Sequence, residues 1–132
     1  MNRKKLFWMV LRIVLALFMV YGGIQHFVKP DFYIPFVPAF LPYTVAIIYA
    51  SGVVEIFLGV TLLFPRVYAK FAALGILLLM LLFLPIHLWD VFSATPAIGS
   101  HTAALIRLPF QFLFIAWAWK IHKVLSRTKK AI

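Results

Sequence analysis

The sequence predicts an all-α fold, a four-helix bundle embedded in a membrane, and three observations carry that prediction. Hydrophobic residues make up 65% of the 132-residue chain and charged residues only 12%, against about 25% charged in an ordinary soluble domain. Four apolar segments, residues 6–28, 43–64, 71–92 and 103–121, each have roughly the 20 residues that cross a hydrocarbon core. The basic residues fall in short clusters between those segments. A soluble domain this small leaves much of its surface exposed and has nowhere to hide so much apolar area. The whole chain, residues 1–132, reads as a single domain.

The first segment follows Arg3, Lys4 and Lys5 and has the outline of a signal peptide. Arg12 interrupts it, the run is too long, and no small-x-small cleavage site follows, so an uncleaved first helix is expected. Arg12 is expected to snorkel to the nearby interface. Residues 30–42 then hold four prolines, Pro30, Pro35, Pro38 and Pro42, among Phe32, Tyr33, Phe36 and Phe40. Proline argues against a regular helix there, and the aromatics suit the headgroup level. Two readings stay open: a partly inserted cap over the bundle, or an interfacial loop with no binding role. The second connection carries Arg66 and Lys70, and the third, residues 93–102, is short and polar. The basic tail, 120–132, carries Lys120, Lys123, Arg127, Lys129 and Lys130.

With four spans, the N-terminus, the second connection and the tail share one side of the membrane. They hold ten basic residues, against Lys29 alone on the other side. The positive-inside rule then places both termini in the cytoplasm of a multi-pass protein in a bacterial-type cell membrane. Trp8, Trp117 and Trp119 fall near the inner interface and Trp89 near the outer one, where amphipathic rings settle. The net charge of +10 is thus an orienting charge, and no nucleic-acid partner is expected. With no cysteine in the chain, disulfides, iron–sulfur ligation and cysteine-based zinc sites are excluded.

Ionisable residues inside a span cost roughly 2.5–3.5 kcal/mol each on insertion scales, so they face protein or water. The candidates for an intramembrane ligand pocket are His26, Glu55, His87, Asp90, Arg107 and the uncharged Gln111. A rise of about 1.5 Å per residue puts all six at or above the midplane on the outer side. Gly52 and Gly59 stand three before and four after Glu55, and Gly22 and Gly23 precede His26, so small residues mark close packing beside both. Side chains lean toward their own helix N-terminus, which brings the six groups toward one layer. The expected pairings are Arg107 with Asp90, and Glu55 with Gln111 and one histidine. Pro85 and Pro109 each remove a helix hydrogen bond near that depth, so both are candidate kinks that open a cavity or simply serve packing. Lys29, Asp31, His101 and His122 read as boundary residues. An interhelical network that only holds the bundle together is the plain alternative for the whole cluster.

The ordered pattern resembles a known family. Gly22, Gly23, Ile24, Gln25, His26 and Phe27 lead into Pro30, Phe32, Tyr33, Pro38, Leu41 and Pro42. Ser51, Gly52, Glu55 and Gly59 follow, then Leu62 to Arg66, and finally Arg107, Leu108, Pro109, Phe110 and Gln111 with Trp117. Over about residues 18–119 this is similar to the DoxX-like family of small four-helix membrane proteins. The resemblance implies a polar pocket between the helices and recurrent positions at His26, Glu55, Arg107, Pro109 and Gln111. His87 and Asp90 depart from the family's pattern, in which the segment ending at His87 often closes on Asn. Relatives in that family include subunits linked to thiosulfate or quinone oxidation, partners of oxidant-defence enzymes and, distantly, a receptor-assembly chaperone.

Two functions compete. The first is a redox-associated component that binds a quinone or similar lipophilic small molecule, with His26, His87 and Glu55 as proton donors. The chain has no electron-carrier motif, so it would be an oxidoreductase-associated subunit working with a soluble or membrane redox partner. The second is a non-catalytic accessory or assembly subunit, chaperone-like, whose basic tail docks a partner or anionic lipid; self-association into a homo-oligomer is compatible with either. A transporter or a metal site on His26, His87 and Glu55 is a third, weaker reading: the ligand set is permissible but has no local motif.

Overall fold

The computed structural model describes residues 2–127; Lys129 and Lys130 of the expected tail lie outside the described residues. Four long helices carry the fold: α1 (Arg3–Val28), α3 (Thr44–Thr61), α4 (Arg66–Phe92) and α5 (His101–Arg127), with a one-turn α2 (Pro30–Tyr33) after α1 and a 3-10 turn (Ile34–Phe36) behind it. The described residues contain no strand. All four long helices are apolar and long enough to cross a membrane, and a helix satisfies its own backbone hydrogen bonds, as lipid demands. This is an all-α membrane bundle. Along the spans its outside is largely apolar, with Val53, Phe57, Leu82, Trp89 and Phe92 exposed to the surrounding solvent, which for this fold is lipid.

The bundle is built from two hairpins. α1 packs most extensively on α3, and α4 on α5, while the α3–α4 and α1–α5 contacts are lighter. Glycines draw α1 and α3 together. A Cβ on Gly23 would lie 2.6 Å from the Gly52 carbonyl oxygen, one on Gly52 would lie 2.8 Å from that of Gly23, and one on Gly59 would lie 2.9 Å from that of Ala16. Small residues at such a seam let two backbones touch, the main source of packing energy between helices in lipid.

Several boundaries differ from the sequence reading. α3 stops at Thr61, because residues 62–64 tighten into turns that end at Pro65, the N-cap of α4. α4 begins at Arg66 rather than at residue 71, and α5 continues to Arg127 beyond residue 121. Proline does not keep helix out of residues 30–42: Pro30 opens α2 at its first position, where a missing N–H costs nothing. α4 and α5 run as helices through Pro85 and Pro109.

The two ends of the bundle differ in chemistry. At the basic end, which holds the start of α1, the α3–α4 turn and the described end of α5, Leu15, Ala16, Leu62, Ala69, Ala73, Ile76, Ala118, Ile121 and Leu125 form a closed apolar core. Trp117 Nε1 donates to the Leu11 carbonyl (3.1 Å) and Arg66 Nη1 to that of Leu125 (2.7 Å), tying the helices together there. At the opposite, cap end the buried residues include His26, Glu55, Asp90 and Gln111.

Candidate functional site

The glycine seam positions the first polar pair. Because α1 and α3 touch at Gly23 and Gly52, the His26 ring reaches across to the facing helix, and Nδ1 lies 2.9 Å from the Ile48 carbonyl oxygen. A carbonyl only accepts, so Nδ1 carries a hydrogen. Nε2 then faces Glu55 Oε2 at 2.7 Å. Oε2 has no other hydrogen-bond partner and is buried, so one proton is held between the ring and the carboxyl group. Gly22 makes room for the second oxygen: a Cβ there would sit 3.3 Å from Glu55 Oε1.

The second pair joins α4 and α5. Arg107 Nη2 donates to Asp90 Oδ2 at 3.1 Å, as the sequence led us to expect. Asp90 does more than pair. Oδ2 also accepts from Ile98 N (3.2 Å) and Oδ1 accepts from Ala97 N, so this carboxylate folds the 93–100 connection back over its own helix end. It is 3% exposed and both of its oxygens accept hydrogen bonds. The chain has three acidic residues in all, Asp31, Glu55 and Asp90, and the two buried ones are both engaged with a cationic or basic side chain.

The six groups do not join into one hydrogen-bonded network. Gln111 does not reach Glu55. Its Nε2 donates to the Met80 carbonyl at 2.7 Å, next to the stretch of α4 where Pro85 takes away a donor. Among the described residues no hydrogen bond or ion pair joins the His26–Glu55 pair to the Asp90–Arg107 pair, because each pair belongs to one hairpin. His26, Glu55 and His87 do not converge as a metal-ligand set, and no group of three metal-ligating side chains gathers among the described residues.

The cap bridges the two pairs. Tyr33 stacks on the His26 ring with centroids 4.1 Å apart and planes 30° apart. Burial, and secondarily the negative Glu55 beneath it, raise the Tyr33 hydroxyl above the ordinary tyrosine value of 10.0. Phe36 lies over the Arg107 guanidinium, 4.6 Å from centroid to Cζ, and edge-on to His87 at 6.5 Å. Phe32 braces Tyr33 and Phe36 from outside. Phe40, expected in this cap, is 83% exposed and stacks on no described ring. Beside Phe36 two buried nitrogens lack a partner, His87 Nδ1 and Arg107 Nε. Two grooves, of about 380 and 190 Å³, lie toward the basic end instead, away from these nitrogens.

Arg12 was missed by sequence reasoning. It does not snorkel but is buried, with Nε donating to the Leu62 carbonyl (2.7 Å) and Nη2 to that of Phe64. α3, at 18 residues, is shorter than α1 at 26 and stops below α1's first turns. The turn just past its end exposes the Leu62 and Phe64 carbonyls, and a guanidinium from α1 bonds both and meets the negative end of the helix dipole. His122, read as a boundary residue, likewise bonds across helices, with Nδ1 2.9 Å from the Lys70 carbonyl oxygen.

Fold and buried pairs together define a multi-pass, all-helical membrane protein with titratable groups fixed inside its bundle. Residues 15–122 match the family described as Domain of unknown function (DUF8561), and the chain belongs to that family. No curated protein and no solved structure matches it.

Proposed function

We propose that this protein is a redox-associated membrane component, DoxX-like in character, that holds a quinone or a similar lipophilic carbonyl compound in the polar layer beneath its aromatic cap. The observation that carries this reading is the pair of buried, partnerless nitrogens, His87 Nδ1 and Arg107 Nε, set against Phe36. A buried donor without an acceptor costs about 1–3 kcal/mol, and a carbonyl oxygen inserted there would recover it. The ring bearing that carbonyl would stack on Phe36, which must lift as the ligand enters. Reduction of a quinone takes two electrons and two protons. The His26–Glu55 pair holds a proton a short way from the same lid, and electrons would come from a redox partner or bound cofactor. With ten basic residues on one side, the termini lie in the cytoplasm and the cap faces outward across the cell membrane.

The test is a melting curve of the purified protein with a benzoquinone and a naphthoquinone, repeated on His87→Phe. A rise in Tm for the wild type that His87→Phe lacks supports the reading; no rise with either quinone rejects it. The pairing of His26 with Glu55 and of Arg107 with Asp90 favours a second reading, a non-catalytic accessory or assembly subunit whose polar pairs only hold the bundle together. In that case quinones leave Tm unchanged while substitutions within the pairs lower it.

A further inference from the structure

The basic end carries a groove of about 380 Å³ lined by Met9, Arg12, Ile13, Leu63, Phe64 and Pro65. Its walls are apolar apart from Arg12. That arginine is 7% exposed, and while Nε and Nη2 cap the Leu62 and Phe64 carbonyls, Nη1 is buried with no partner. The two carbonyls satisfy hydrogen bonds but leave a full positive charge uncompensated. No acidic side chain is at hand, since Asp31 lies in the cap, Glu55 pairs with His26 and Asp90 pairs with Arg107. A buried, unneutralised charge is among the costliest features a fold can carry.

We propose that this groove is a binding site for one anionic phospholipid, its headgroup phosphate bonded to Arg12 Nη1 and the start of an acyl chain lying along Ile13 and Leu63. A guanidinium matches a phosphate's geometry and charge. The apolar walls match a lipid and would do nothing for a free anion. Arg3, Lys4, Lys5 and Arg66 stand at the same end and draw anionic headgroups toward it. Nη1 is covered by its neighbours, so a lining side chain must move on binding; Met9, unbranched and flexible, is suited to that. The lipid would complete the α3–α4 turn, supplying the counter-charge that the sequence lacks.

The experiment is native mass spectrometry of the detergent-purified chain titrated with phosphatidylglycerol or with phosphatidylcholine of the same acyl chains. One phosphatidylglycerol should bind about tenfold or more tightly than phosphatidylcholine, whose phosphate is already neutralised by its own choline and so offers Arg12 no net counter-charge. Ile13→Trp fills the groove without touching the carbonyl caps and should abolish that preference while its circular dichroism and Tm in detergent match the wild type. Lys4→Gln with Lys5→Gln should leave the preference in place. Three outcomes would overturn the proposal: no preference in the wild type, a preference that survives in folded Ile13→Trp, or equal stabilisation by inorganic phosphate alone. Arg12→Gln is unsuitable as the sole variant, since it also removes the caps.

Discussion

Replacing Gly52 with alanine tests the seam on which the His26–Glu55 geometry rests. The new Cβ would sit 2.8 Å from the Gly23 carbonyl oxygen, 2.8 Å from His26 Cβ and 2.9 Å from a Phe27 ring carbon. Two of these neighbours cannot rotate away, so α1 and α3 must part by roughly half an ångström or more to reach ordinary contact. Overpacking of this kind costs about 1–3 kcal/mol, and the rigid neighbours put it at the upper end. Alanine recovers about 1 kcal/mol of helix propensity, leaving a net loss of about 2 kcal/mol. Parting the helices also stretches the 2.9 Å contact between His26 and the Ile48 carbonyl. Gly75→Ala is the internal control. Its Cβ meets only the end of the Leu58 side chain, at 2.7 Å, which can swing aside, so the propensity gain leaves it neutral or slightly stabilised. The assay is reversible unfolding in mixed detergent micelles. Equal stabilities for Gly52→Ala and Gly75→Ala would refute the argument that backbone contact at the seam fixes the first pair.

Further outcomes follow from the polar groups. Glu55→Leu strands His26 in the seam and should cost about 3 kcal/mol or more, whereas His26→Leu with Glu55→Leu should recover most of that loss; unfolding of the three variants checks it. Asp90→Ala releases the amides of Ala97 and Ile98 and unpairs Arg107, so amide hydrogen exchange across residues 93–100 should rise sharply while α1 and α3 stay protected. Tyr33 ionises above the ordinary value in the folded protein. The unfolded chain therefore loses that proton first as pH rises past about 10, and stability present below that pH is lost through the folded value. Ultraviolet titration should show the late tyrosinate, moved back toward the ordinary value in Glu55→Gln.

The spans and the Arg107–Asp90 pair were legible in the sequence because each depends on local facts. Apolar run length marks a span, and depth along neighbouring helices brings residues 90 and 107 level. The glycines at 52 and 59 announced a close seam for the same reason, since a small residue on a buried face has few other uses. What the sequence hid depends on offsets between helices. Arg12 is a cap only because α3 ends short of α1, a difference no local pattern in residues 1–28 encodes. Gln111 goes to the Met80 carbonyl rather than to Glu55 because hairpin pairing, not depth, decides which helix it faces. Pro30 was read as a breaker, yet at the first position of a helix its missing N–H is harmless. The six groups divide into separate pairs on the same point: equal depth does not make neighbours of residues on different hairpins.

A ligand beneath the cap is tested most directly by a crystal structure of the protein grown in lipidic mesophase from material purified without added ligand. Flat density within hydrogen-bond distance of His87 Nδ1 or Arg107 Nε, with Phe36 displaced over it, is the expected result. Phe36 still packed on Arg107 at about 4.6 Å, with nothing or only water at the two nitrogens, would contradict the proposal and leave the polar layer as scaffolding.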